Sequence, residues 1–308
     1  MLTKLITVDI TVGRLGVAVT CAVVAALSYA LSNVLQQHEA EQVAEEKTLK
    51  IGLLAQLARR PRWLFGMGAD VGGYVFEAIA LGTGTLVLVE PILATSLLLS
   101  LFLGASINRR HIDRAGWAAA VVLAIGVSLF LLVVAPTRGA ELATTRSWIA
   151  ATPPIIGFVT VCVLAARAAS GSNRAAFLGL GAGTLFGTSA VLTKAFVHYL
   201  GGGAFNWVAH WEPYALAVTS ITGLVLAQSA FQTGGLAAAV GAEQVMQPLT
   251  GVALGVGLLN EKLGLSGSLA PIVLIGALVA MLWGVLTLAR VEHSDMLVHP
   301  QPPALADG

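Results

Sequence analysis

Apolar runs of about 20 residues follow one another along this chain, and a helix of that length crosses the hydrocarbon core of a bilayer. Hydrophobic residues make up 56% of the 308 residues and charged residues only 11%, whereas a typical soluble domain is about 25% charged. Backbone inside a bilayer must satisfy its own hydrogen bonds, which favours helices in runs this long. We therefore predict an all-α integral membrane protein.

The apolar runs predict nine transmembrane spans. They cover residues 14–36, 63–83, 85–107, 115–135, 148–169, 175–199, 212–232, 235–258 and 267–289. The charged connection 37–62 has leucines spaced for a weak amphipathic helix at the membrane interface, and a solvated loop is the alternative. The polar, proline-rich segment 290–308 is predicted to be disordered.

The Lys and Arg residues predict an orientation. With nine spans, the connections on one side carry eleven Lys and Arg residues and those on the other side carry five. Positively charged connections remain in the cytoplasm. The chain is therefore predicted to be a multi-pass protein of the cytoplasmic membrane, with its N-terminus outside and its C-terminus in the cytoplasm.

The sequence also repeats. In each half, a span is followed by a helical hairpin and then by another span, and Glu90-Pro91 matches Gln247-Pro248 when the prolines are aligned. The first copy covers 1–135, the fifth span lies in 136–173, and the second copy covers 174–289. Because one odd span separates two four-span copies, the second copy is inverted with respect to the first.

Several stretches resemble the drug/metabolite transporter superfamily. Residues 185–196 (LFGTSAVLTKAF) are similar to the first-helix motif of EamA-type repeats. Pro248, followed by LLNEKL at 258–263, is similar to the proline helix of that repeat, which ends in a glutamate-basic pair. Within the superfamily, Trp63 and residues 76–93 (FEAIALGTGTLVLVEPIL) are most similar to NIPA-type magnesium transporters.

This resemblance implies a carrier that works by alternating access, with its substrate path between the two repeats. It does not name a substrate, because the superfamily transports amino acids, nucleotide sugars, drugs and, in the NIPA branch, divalent cations. The expected cargo is a small polar solute or a cation, moved with a coupling ion or proton. A magnesium transporter is the second hypothesis.

Three acids lie in the hairpin of the second and third spans. Glu77 and Glu90 stand at similar distances from its turn, about 10 Å below one membrane face at ~1.5 Å per residue. Asp70 precedes Glu77 by seven residues, so both fall on one helix face, with Asp70 deeper. A charge at membrane depth costs about 2.5 kcal/mol or more, which marks these acids as functional candidates. If the cargo is a divalent cation, they are its predicted ligands.

A second polar patch lies in the eighth span. It contains Glu243, Gln244 and Gln247, followed by Pro248. A proline inside a helix leaves a backbone carbonyl without its donor and kinks the helix, and the same is expected at Pro91. We predict that this patch forms the inner half of the path and the hairpin acids its outer half.

Lys194 provides an alternative explanation for the acids. It lies near the end of the sixth span, at a depth similar to that of Glu77 and Glu90, so it is expected either to pair with one of them or to line the path. One lysine cannot neutralise all the acids at membrane depth. The sixth span also carries Gly179, Gly183 and Gly187, whose spacing predicts close helix packing.

Other classes of function find little support. There is no P-loop, no dinucleotide-binding glycine motif and no nucleophile elbow, so neither an enzyme nor a cofactor is expected. The sequence has no basic patch interleaved with aromatic residues, so no nucleic-acid partner is expected. A membrane scaffold without transport activity is the remaining alternative, and a homodimer stays open. The expected partners are the lipid bilayer and the transported solute.

Overall fold

The computed structural model describes residues 2–43, 48–83, 89, 92–108, 113–134, 140, 142–201, 205–233, 235–261 and 269–298. Within these ranges the chain is helical and forms no strand. The helices are α1 (Leu2–Glu41), α2 (Ile51–Leu57), α3 (Pro61–Thr83), α4 (Ser96–Asn108), α5 (Arg114–Val134), α6 (Thr145–Ala168), α7 (Gly171–Gly201), α8 (Glu212–Phe231), α9 (Leu236–Leu259) and α10 (Ala270–Val298).

Six of the described helices are long and apolar enough to cross a membrane. They are α1 from Leu15, α5, α6, α7, α8 and α10 as far as Val291. The prediction of an all-α membrane protein is therefore confirmed at this level. Helices α3 and α9 are of similar length, 23 and 24 residues, but carry acids and amides, and the count of nine spans stays a prediction.

The helix bounds differ in detail from the sequence prediction. Helix α4 starts at Ser96, and a turn at Thr95 separates it from the helical residues 92–94. Val89 is also helical, and the predicted start of the third span at residue 85 lies outside the described residues. The Thr95 hydroxyl donates to the Ile92 carbonyl at 2.6 Å and so competes with the helical bond of the backbone. At the other end of the chain, α10 runs to Val298, so the predicted disorder of 290–298 is wrong, and residues 299–308 lie outside the described ranges.

The charged connection 37–62 packs against the helix bundle. Helix α2 buries Leu53 and Leu57 completely in the main hydrophobic core. Gln232, just after α8, accepts from the Thr48 hydroxyl at 3.0 Å and donates to the Val43 carbonyl at 3.2 Å. A short helix, Ile51–Leu57, is confirmed within the predicted amphipathic segment, and its apolar side contacts protein, so the solvated-loop alternative is wrong. Its position at the membrane interface stays a prediction.

Helix α7 packs along α9 through its three spaced glycines. A Cβ atom on Gly183 would lie 2.7 Å from the Glu243 carbonyl oxygen, and one on Gly187 would lie 2.8 Å from the Thr250 Cβ. Gly179, one turn before Gly183 in α7, has its Cβ position 3.1 Å from the Ala242 Cβ of α9. The predicted packing role of Gly179, Gly183 and Gly187 is confirmed, and it sets the position of Glu243 beside α7.

Helices α5 and α10 pack through a reciprocal pair of glycines. A Cβ on Gly126 would lie 3.1 Å from the Met281 Cγ, and a Cβ on Gly284 would lie 2.8 Å from the Leu123 Cβ. Gly126 and Leu123 have the same spacing in α5 as Gly284 and Met281 have in α10. Each helix thus presents its glycine to the same position of the other, as in a two-fold contact.

Candidate functional site

Glu77 is held by a tyrosine of the neighbouring helix. The Tyr29 hydroxyl of α1 donates to Glu77 Oε2 of α3 at 2.5 Å. The two helices approach closely because Gly73 leaves room for the tyrosine ring, where a Cβ atom would lie 2.9 Å from Tyr29 Cδ1. The contact therefore depends on a glycine one turn before the acid.

Asp70 lies on the same face of α3, one heptad earlier. Its carboxylate interacts with the Ser32 hydroxyl of α1 and is close enough to Glu77 for the two carboxylates to repel each other. The prediction that Asp70 and Glu77 share one helix face is confirmed, because both are bonded by side chains of α1.

Glu243 of α9 approaches this pair from the other half of the chain. It interacts electrostatically with Asp70, and its carboxylate has no hydrogen-bond donor among the described residues. The structure thus brings together three predicted site residues: Asp70, Glu77 and Glu243. The acids predicted in the hairpin and in the eighth span are thus within electrostatic range of each other.

The remaining residues of the predicted α9 patch behave differently. Gln244 donates to the Ser96 hydroxyl of α4 at 3.1 Å, so it ties α9 to the hairpin. Gln247 has an exposed side chain. Helix α9 continues through Pro248 to Leu259, and a kink there stays a prediction. Glu90 and Pro91 lie outside the described residues, and with them the predicted pairing of Glu77 with Glu90.

Lys194 does not neutralise the acids. Its ammonium group binds Glu261 Oε1, and the Glu261 side chain is only 9% exposed. Glu261 is held at the end of α9 by a bond from its backbone N–H to the Gly255 carbonyl at 3.1 Å, after Asn260 has turned the chain with φ 53°. The alternative of an ion pair with Glu77 is therefore wrong, because similar depth does not place two side chains on facing sides of a bundle.

The Lys194–Glu261 pair should contribute modestly to stability. We expect Lys194→Met and Glu261→Gln each to lower the thermal midpoint in detergent, and the double variant to lose less than the sum. The coupling should be about 0.5–1 kcal/mol, since Lys194 is 54% exposed and water screens such a pair. Additive losses would show that the two charges do not interact.

No cation neutralises Asp70, Glu77 or Glu243 within the described part of the chain. The ion pairs described there join Arg60 to Glu39 and Lys194 to Glu261. The same residues contain no group of three His, Cys, Asp or Glu side chains placed to hold a metal ion. Asp70, Glu77 and Glu243 thus form a polar cluster. A hydroxyl group interacts with Asp70 and with Glu77, and none of the three acids has a counter-ion among the described residues.

Sequence reasoning missed the partners of these acids. Tyr29, Ser32 and Gln36 are spaced by three and four residues, which places them on one face of α1. That polar stripe in an apolar span was the available signal. Gln228 is an isolated amide in an apolar helix, and no local pattern distinguishes it.

Comparisons with known proteins add one relative. An uncharacterized protein from Corynebacterium glutamicum is 29% identical over 249 residues, which cover 80% of this chain and 85% of that protein. No family model matches the chain, and no solved structure matches it. Function must therefore be inferred from the site itself.

Proposed function

We propose that the protein is a secondary transporter in which Asp70, Glu77 and Glu243 bind a cation, either a proton that drives transport or a positively charged solute. The observation that carries this proposal is the cluster of three acids without a cationic partner among the described residues. Ionised groups at membrane depth are costly, and where they occur they mark ion and substrate paths. A scaffold protein would gain nothing from holding them there.

Matching contacts in the two halves support an inverted repeat of the kind found in drug/metabolite transporters. The ring of Tyr29 packs on Gly73, and at the corresponding place in the second half the ring of Phe186 packs on Gly223, whose Cβ position lies 3.0 Å from Phe186 Cε1. The reciprocal contact of α5 with α10 has the same two-fold relation. Repeats of this kind place the transport site at their interface.

The two halves differ at the acids. In the second half Ser189 and Ser220 occupy the places of Ser32 and Asp70, and they form a hydroxyl pair at 3.2 Å. Asp70 and Glu77 therefore come from the first half and Glu243 from the second. A cation bound by all three would bridge the repeats, so its binding would depend on how the repeats are arranged, as alternating access requires.

A magnesium transporter is the alternative. Carboxylate oxygens suit Mg²⁺, which keeps several water ligands. Since the described residues offer no group of three metal ligands, the ion would be held largely through its hydration shell. The location in the cytoplasmic membrane and the cytoplasmic C-terminus remain part of the proposal and follow from the Lys and Arg pattern.

A thermal-shift screen provides the first test. Purified protein is heated with Mg²⁺, Ca²⁺, organic cations and a metabolite library at two pH values. A ligand that binds the native state raises the melting temperature in line with RT ln(1 + [L]/Kd). We expect at least one cationic compound, or a solute whose effect depends on pH, to stabilise the wild type.

The matched controls separate site binding from general effects. The stabilisation should disappear in Asp70→Asn/Glu243→Gln and persist in Asp113→Asn. Asp113 accepts from the Gly116 N–H at 2.7 Å at the start of α5, and asparagine caps a helix equally well. A shift that survives in the site variant would contradict the proposal and favour the scaffold alternative.

A further inference from the structure

A continuous chain of buried hydrogen bonds ends on Ser32, next to the Asp70 carboxylate. The Trp63 indole N–H donates to Gln228 Oε1 at 3.0 Å, and the Gln228 amide donates to Gln36 Oε1. The Gln36 amide donates to the Ser32 hydroxyl oxygen at 2.7 Å, and the Ser32 side chain in turn interacts with the Asp70 carboxylate. The chain crosses from α3 to α8, then to α1, and returns to α3.

The direction of this chain is set at its start. An indole N–H is a donor and never an acceptor, so Gln228 must turn its oxygen towards Trp63 and its NH₂ group towards Gln36. Gln36 must then turn its NH₂ group towards Ser32. With its oxygen engaged as an acceptor, Ser32 directs its proton to Asp70.

Burial makes this orientation persistent. Trp63 and Gln36 are each 5% exposed, and Ser32 and Gln228 are fully buried. Water does not compete for these groups, and reversing one amide would leave a buried donor or acceptor without a partner. The four side chains therefore hold one arrangement together.

We propose that Trp63 and Gln228 are positioning residues that keep the Ser32 proton directed at Asp70, so that Asp70 is the fixed acceptor of the site. This inference deepens the proposed function and rests on it for its purpose. Glu77 has its own donor in Tyr29, and Glu243 has none among the described residues. The three acids thus differ in the donor that each carboxylate has.

The second half of the chain lacks this arrangement. Ser189 corresponds to Ser32, but it bonds to the Thr219 hydroxyl at 2.8 Å and accepts from Ser220. No acid ends that cluster within the described residues. The helices of the second half therefore pack without a chain of oriented hydrogen bonds. In the first half such a chain occurs together with Asp70.

Gln228→Glu tests the direction of the chain with little change in shape. Both oxygens of an ionised glutamate accept, so Gln36 must turn its NH₂ group towards the new carboxylate and its oxygen towards Ser32. The Ser32 proton is then drawn from Asp70. The readout is the rate at which dicyclohexylcarbodiimide, which reacts with protonated carboxyl groups, labels Asp70 at neutral pH, quantified by peptide mass spectrometry.

We expect Asp70 to be labelled about tenfold faster in Gln228→Glu, as for loss of a hydrogen bond to a charged group. Ser32→Ala, which removes the last donor, should give the same increase. Labelling of Glu77 should stay within about twofold of the wild type in both variants, because its own donor is untouched. If Gln228→Glu fails to fold, Trp63→Phe removes the first donor and keeps an aromatic ring, and its Asp70 labelling should also rise.

Unchanged Asp70 labelling in the folded variants would overturn the inference. Equal increases at Asp70 and Glu77 would also overturn it, because they would indicate general loosening of the bundle. The labelling needs no transported solute. If labelling changes as expected and the transport assay fails, the proposed function is rejected and the positioning role stands. If transport is observed and labelling does not change, the positioning role is rejected and the proposed function stands.

Discussion

Replacing Gly187 with valine is expected to prevent α7 and α9 from packing and to give the largest loss of stability of any single change considered. Even a Cβ atom at this position would lie 2.8 Å from the Thr250 Cβ and 3.0 Å from the Gly251 N atom. Backbone cannot move aside as a side chain can, so the helices must separate. Overpacking costs about 1–3 kcal/mol or more, and valine adds two further methyl groups.

The measurement is the melting temperature and the size-exclusion profile in detergent. Gly251→Ala is the matched control, since a Cβ at Gly251 of α9 meets nothing within 4 Å. That variant should behave like the wild type. A Gly187→Val protein with unchanged melting temperature and profile would mean that α7 and α9 are not packed along this seam.

Replacing Asp70, Glu77 and Glu243 together by their amides is expected to abolish transport without lowering stability. Asparagine at position 70 and glutamine at position 77 keep an oxygen that accepts from Ser32 and Tyr29. The change therefore removes charge and little else. Because unpaired charges at membrane depth cost about 2.5 kcal/mol or more each when ionised, the melting temperature should stay level or rise.

This combination of outcomes is typical of a functional site, where stability is given up for activity. A structural role for the acids predicts the reverse, namely a marked loss of melting temperature. Melting temperature in detergent and flux in liposomes, measured on the same preparation, distinguish the two. The amide variant must elute as the wild type does for the comparison to hold.

Local patterns predicted the parts of this site that depend on helix geometry. The heptad spacing of Asp70 and Glu77 put them on one face, and the spacing of Gly179, Gly183 and Gly187 predicted a packing seam. Both follow from the helical repeat alone. The sequence also placed Glu243 in a polar patch, and in the structure that residue is close enough to Asp70 for the two carboxylates to interact.

Contacts between distant helices were not predictable in the same way. Depth along the membrane normal made Lys194 a candidate partner of Glu77, but depth leaves open which way a helix is turned, and Lys194 turns towards Glu261. Gln228 and Trp63 are far apart in sequence, and their bond depends on the packing of α8 against α1 and α3.

The end of the last helix illustrates a different limit. Polarity after Arg290 predicted disorder from that point, yet α10 continues to Val298. The prolines Pro300, Pro302 and Pro303 come later, and a residue before proline disfavours helical backbone. The change in polarity at Arg290 therefore does not end this helix.

Proton flux in proteoliposomes tests the central claim most directly. Wild-type protein and the triple amide variant are reconstituted into liposomes that contain a pH-sensitive dye, and each solute from the thermal-shift screen is added outside. We predict that at least one solute changes the internal pH, or enters, with the wild type and not with the amide variant. Equal flux through both proteins, or no flux of any solute through a folded wild type, would contradict a transport role for Asp70, Glu77 and Glu243.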